Sequence, residues 1–270
     1  MLWNAKNGSV QMGHTRMHYV SFGYGSKPLV LLPGLADGLA SVKGKALLLA
    51  RPYRIFFQKY TVYMFSRKND MPEGYAIRDM AHDQAQAMEA LGMGKAAVMG
   101  VSQGGMIAQY VAVDYAQLLD KLVIAVSVPR ANDMIRSCVS QWISFAEKGN
   151  YRQLMIDTAE KNYSAERLKK IRKLYPLIGV IGKRLVYDRF LINARAILQF
   201  DASQDIKKIA CPTLIIGAEK DKVVGVRASY EMKERIAGSE LYVYKGLGHA
   251  AYEEAGDFNQ RVFHFLESMQ

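Results

Sequence analysis

Short, continuously apolar runs alternate with helix-spaced segments over most of this chain. That feature most narrows its fold. LVLLP (29–33) is an apolar run stopped by Pro33 and Gly34, and YTVYMF (60–65) is rich in β-branched and aromatic residues. AAVMG (96–100), KLVIAV (121–126), TLIIG (213–217) and LYVYKG (241–246) continue the series. Between them, Ile77, Met80, Ala81, Met88 and Leu91 of segment 77–92 recur at helical spacing. GGMIAQYVAVDYA (104–116), VRASYEMKERI (226–236) and the stretch from Tyr252 to Met269 read the same way. Runs that do not alternate polar with apolar belong to strands buried on both faces. Strands separated by helices imply a mostly parallel sheet sandwiched between helices.

From residue 130 to 205 the strand signals stop. MIRSCVSQWISFAEKG, YRQLMIDTAEKNY, SAERLKKIRKLY and RFLINARAILQF carry helical spacing instead. The expected organisation is an α/β core formed by 1–129 and 206–270, with a helical cap insertion at 130–205. The chain carries 36 Lys and Arg against 25 Asp and Glu, a net +11. Residues 130–208 hold sixteen of the bases and eight of the acids, so +8 of that charge lies in or beside the insertion. A basic block could steer anions or touch nucleic acid. In AERLKKIRKLY, however, Leu168, Ile171, Leu174 and Tyr175 share one face and the bases fill the other, the pattern of a solvated helix. No zinc-finger spacing or RRM-like aromatic signature accompanies the charge, so no nucleic-acid partner is expected.

Composition excludes a disordered chain or a fibre, with half of the residues hydrophobic and 23% charged. Two cysteines, Cys138 and Cys211, give no disulfide framework and no metal-ligand spacing. The N-terminal MLWNAKNGSVQMGHTRMHYV lacks an apolar core of the roughly 7–15 residues a signal peptide needs, and no apolar run approaches a membrane span. A cytoplasmic protein with a small-molecule substrate is expected. The insertion could mediate a homodimer, although no seam is decisive.

Gly100-Val101-Ser102-Gln103-Gly104 fits G-x-S-x-G between an apolar strand and a helix. A serine on so sharp a turn needs small residues two before and two after it, and stands clear of the sheet at its carboxyl edge. The helix that follows aims its N-terminus at the same spot. A serine hydroxyl needs a base. His249, in GLGHAAY directly after the last strand, is favoured over His14, His18, His82 and His264. The base needs a carboxylate. Asp221, in GAEKDKVVG after TLIIG, is favoured over Glu219 by its distance past the strand end. Backbone N–H groups of Gln103 and of Leu35, in LLPGLADG (31–38), are the expected oxyanion donors.

The chain resembles the α/β-hydrolase superfamily over essentially its whole length, through LLPGLADG, GVSQGGMIAQY, GAEKDKVVG and GLGHAAYEEA in that order. GVSQGGMIAQY is closest in flavour to the enol-lactonase, C–C hydrolase, haloperoxidase-like and carboxylesterase branches. The resemblance implies an eight-stranded core, a helical cap and a triad of Ser102, Asp221 and His249. Many relatives have His-Gly where this chain has Pro33-Gly34. Serine at position 102 argues against the dehalogenase and epoxide-hydrolase branches, which use aspartate there. The expected activity is a serine hydrolase acting on a small carboxylic ester, thioester or lactone, with no metal or organic cofactor. Cleavage of an activated C–C bond or an enol-lactone is the alternative, and a non-catalytic receptor or scaffold a more distant one. Trp142, with Met134, Phe145, Tyr151, Met155, Tyr163 and Tyr187, offers apolar lining from the insertion. Arg130 and Arg195 are candidates for holding a substrate carboxylate.

Overall fold

A computed structural model of the protein describes residues 2–178 and 186–268. Its single sheet has eight strands: β1 (Lys6–Met12), β2 (Thr15–Phe22), β3 (Lys27–Leu32), β4 (Tyr60–Lys68), β5 (Ala96–Val101), β6 (Leu119–Ala125), β7 (Thr213–Ala218) and β8 (Glu240–Tyr244). Their order is β1-β2-β4-β3-β5-β6-β7-β8. β1 and β2 pair antiparallel and β2 joins β4 antiparallel, whereas β4 through β8 run parallel. The helices are α1 (Ala46–Ala50), α2 (Ile77–Ala90), α3 (Gln103–Asp114), α4 (Asp133–Glu147), α5 (Tyr151–Asn162), α6 (Ala165–Ile171), α7 (Asp188–Leu198), α8 (Val226–Arg235), α9 (Ala251–Glu254) and α10 (Phe258–Glu267).

The continuous apolar runs behave as strands covered on both sides. Val30 and Leu32 of β3, with Val98, Leu122, Ile124 and Ile215, pack into one core with α2, α3 and α8. Leu29 and Leu31, with Met99, Val123 and Ile216, pack into a second core with α1 and α10. Successive side chains on a strand point to opposite faces, so burying both faces demands that every position be apolar. Because β3, β5, β7 and β8 are parallel, the loops leaving them all emerge at the same carboxyl edge.

Among the described residues, the chain between β6 and β7 forms α4, α5, α6 and α7 and one isolated bridge, Arg130 with Asp201. Residues 179–185 of the expected insertion lie outside the described residues. The sequence AERLKKIRKLY is not one amphipathic helix. α6 tightens into a 3-10 turn over Arg172–Leu177, with Pro176 inside it. Of its expected apolar face only Leu168 is buried, and Leu174 is exposed. The C-terminal helix is likewise broken. Ala255 ends α9 in an extended conformation, and Phe258 N–H bonds back to the Ala255 carbonyl before α10 begins. No helix of the described residues is long and apolar enough to cross a membrane.

Candidate active site

Ser102 links β5 to α3 at φ 54° and ψ −120°. A non-glycine residue there carries about 1–3 kcal/mol of strain, which the surroundings must hold. The neighbouring glycines show how tightly they do so. A Cβ on Gly100 would lie 2.2 Å from the Gly104 carbonyl oxygen, and one on Gly104 only 1.9 Å from that of Leu32. Ser127 adds a brace that no motif announces, donating its hydroxyl to the Ser102 carbonyl at 2.8 Å. The residue before it, Val126, also has positive φ, at 43°.

The loops after β7 and β8 deliver the partners. His249 Nε2 lies 3.0 Å from Ser102 Oγ, and its Nδ1 lies 2.8 Å from Asp221 Oδ2. Asp221 Oδ1 accepts the backbone N–H groups of Val223 and Val224 at 2.8 and 2.9 Å. His249 and Asp221 are both buried. Burial pushes the Asp221 carboxyl up, but His249 and the two amides outweigh it and hold the group below its usual range. An ionised carboxylate at Nδ1 keeps the proton there and leaves Nε2 as the acceptor facing the serine hydroxyl. This arrangement can move a proton off Ser102. The other histidines are elsewhere. His82 meets the Tyr115 hydroxyl, His18 meets Asn69, and His264 lies on α10.

The Gln103 N–H opens α3, and the Leu35 N–H opens a short 3-10 turn, Leu35–Gly38. Amides in a first helical turn have no acceptor within the helix and are available to an anion. Gly34 brings the Leu35 turn against the serine: a Cβ on Gly34 would sit 3.3 Å from that of Ser102.

Ser102 and His249 open into a cavity of about 370 Å³. Its walls are chiefly apolar, with Leu35, Leu39, Met64, Met99, Trp142, Met155 and Phe190 among them. Trp142 is fixed by donating its indole N–H to Asp157 at 2.7 Å. Tyr53, Thr158, Asn162, Tyr252 and Glu253 supply the polar part. Of the other aromatic and Met residues expected from the insertion, Met155 reaches this cavity. Met134, Phe145, Tyr151, Tyr163 and Tyr187 are not among its described lining. Nor are Arg130 and Arg195. Arg130 pairs with Glu231 at 3.1 Å and Arg195 with Glu147 at 2.9 Å, both half exposed. No Lys or Arg of the described residues lines the cavity.

Helices α4, α5 and α7 are tied to the loops of the site. Asn132, capping α4, donates to the Val224 carbonyl beside Asp221 at 2.8 Å. Ala250 N–H, next to His249, bonds the Asn162 carbonyl at the end of α5 at 2.9 Å. From α7, Arg189 donates to Asp37 Oδ2 at 2.5 Å, in the Leu35 turn.

Curated proteins similar to this chain are named for different reactions. Epoxide hydrolase 1 of Caenorhabditis elegans is 23% identical over 97% of this chain and 70% of its own length. The 2-hydroxy-6-oxo-6-(2'-aminophenyl)hexa-2,4-dienoic acid hydrolase of Metapseudomonas resinovorans is 26% identical over 95% and 89%. The crystal structure of MGS-M2, an α/β hydrolase enzyme from a Medee basin deep-sea metagenome library, superposes with a TM-score of 0.84 at 21% identity, covering 97% of this chain and 98% of that one. A family model described as alpha/beta hydrolase fold matches residues 27–256, most of the sheet and all the loops described above, and the chain belongs to that family.

Proposed function

We propose that the protein is a serine hydrolase of small, uncharged carboxylic esters, thioesters or lactones, with Ser102, His249 and Asp221 as its triad and the helices between β6 and β7 as the cap over the acyl pocket. The observation that carries this reading is the chain of contacts from Asp221 to His249 to Ser102, 2.8 and 3.0 Å, at the floor of an apolar cavity. His249 takes the Ser102 proton as the oxygen bonds to the substrate carbonyl carbon. The N–H groups of Leu35 and Gln103 stabilise the resulting oxyanion, about 3 kcal/mol each. His249 then gives its proton to the departing alcohol or thiol, and the carbon–heteroatom bond breaks to leave an acyl-serine. Water, deprotonated by His249, attacks that ester, and the proton returns to Ser102 as the acid leaves.

Serine at the attacking position supports acyl transfer over epoxide opening. The lack of a Lys or Arg among the described lining residues supports a neutral acyl group over a dienoic acid. The test is a panel of p-nitrophenyl esters, lactones and β-diketones against the wild type and Ser102→Ala, with covalent capture by a fluorophosphonate. Ester turnover and labelling that both vanish in Ser102→Ala are expected. Undiminished turnover in that variant removes the mechanism, and turnover confined to β-diketones assigns carbon–carbon cleavage instead.

A further inference from the structure

The two proposed oxyanion amides belong to different loops, and one buried side chain stands between them. Arg67, at the end of β4, is only 1% exposed. Its Nη2 donates to the Gln103 side-chain oxygen at 2.9 Å, its Nη1 faces Asp37 Oδ2 at 4.0 Å, and its backbone N–H donates to the same Oδ2 at 2.9 Å. Asp37 lies two residues past Leu35 in the same turn and also accepts the Ser66 hydroxyl at 2.6 Å. From α7, Arg189 grips Asp37 through both its carboxylate and its carbonyl, and bonds the Arg67 carbonyl at 2.9 Å. Gln103 in turn donates to the Asn193 carbonyl, one turn further along α7, at 2.7 Å.

The charges of this cluster do not balance. Two cations, the buried Arg67 and the partly exposed Arg189, face the one buried carboxylate of Asp37. A surplus buried charge works against folding, and an Asp37–Arg189 pair alone would be neutral. Arg67 is therefore not needed to neutralise Asp37, and its remaining bond is to Gln103. We propose that Arg67 is a positioning residue of the oxyanion site: it fixes the Gln103 and Leu35 amides relative to each other, with α7 closing the bracket through Arg189 and Asn193. The proposal rests on the serine-hydrolase reading above and names how that site is held.

The test is Arg67→Met, an uncharged chain of similar reach that leaves Asp37 with Arg189, Ser66 and the residue-67 amide. Three readouts separate positioning from scaffolding: melting temperature, the kcat and KM of the best ester, and affinity for two probes. One probe is a trifluoromethyl ketone carrying the acyl chain of that ester, which forms an oxyanion on Ser102. The other is the matching secondary alcohol, which does not. We expect a melting temperature lower by about 2–10 °C because Gln103 Oε1 loses its donor, a kcat lower by about 30- to 100-fold, KM within about threefold, and a ketone weakened in step with kcat while the alcohol is not. A folded variant with wild-type kcat and ketone affinity overturns the assignment. So does a fall in melting temperature with kcat unchanged. If Arg67→Met does not accumulate folded, Arg67→Lys, which keeps the charge but cannot span both loops, is read the same way. A wild type with no Ser102-dependent turnover and no ketone binding fails the serine reading instead, so the two failures are distinct.

Discussion

Replacing Asp221 by asparagine gives a sharp test of the site, because its surroundings dictate which way the new amide points. Oδ1 is held by the N–H groups of Val223 and Val224. In Asp221→Asn only an oxygen can satisfy those two donors, so the amide oxygen takes that place and the NH₂ turns toward His249 Nδ1. A donor facing Nδ1 forces the ring proton onto Nε2, the nitrogen 3.0 Å from Ser102 Oγ. An imidazole with hydrogen there cannot take the hydroxyl proton. The expected cost is about 10⁴-fold in kcat, near 5.5 kcal/mol, with little change in KM. Flipping the amide to rescue the tautomer would set an NH₂ against two buried N–H groups and strand both, at about 1–3 kcal/mol each. The assay is steady-state hydrolysis of a p-nitrophenyl ester at neutral pH, with the melting temperature as a check on folding. A folded Asp221→Asn that keeps a tenth or more of wild-type kcat refutes the argument, since His249 would then not depend on Asp221 for its tautomer.

Gly104→Ala should fail through sterics rather than chemistry. Its Cβ would meet the main-chain oxygens of Leu32 and Pro33 at 1.9 and 2.7 Å, so we expect insoluble protein or a loss above about 4 kcal/mol, read by urea denaturation. Glu267 is held down to about 2, chiefly by its bond to Lys59 and also by Tyr60 and Lys27. A lowered folded value stabilises above the unfolded value of about 4.3, and that benefit is lost as pH falls toward 2. Wild type and Glu267→Gln should therefore differ in melting temperature at pH 6 and converge at pH 2, and a gap constant over that range counts against the contact.

The candidate site is legible in the sequence wherever it lies at the end of a buried strand. Ser102, Asp221 and His249 each follow an apolar run, and a parallel sheet sends those runs to one edge. The first two strands do not stand out in the same way. β1, KNGSVQM, is an edge strand with exposed polar positions and no apolar run to announce it. Arg130 and Arg195 had the right charge for a substrate contact, but their pairing with Glu231 and Glu147, 101 and 48 residues away, has no local signature. The bonds from Gln103 to Arg67 and Asn193 span 36 and 90 residues and leave no periodicity to read. Ser127 is hidden for another reason: a lone serine after a strand looks like any turn residue.

The stitching of α4, α5 and α7 to the loops of Asp221, His249 and Leu35 bears on how such a protein can diverge. A helix sewn to the working parts cannot slide or be swapped without disturbing them. Novelty in what the pocket accepts must arise in the stretches between stitches, at Trp142 and Met155, while Asn132 and Arg189, whose side chains make the stitches, stay put. A library that randomises the former and spares the latter searches new appetites without dismantling the engine.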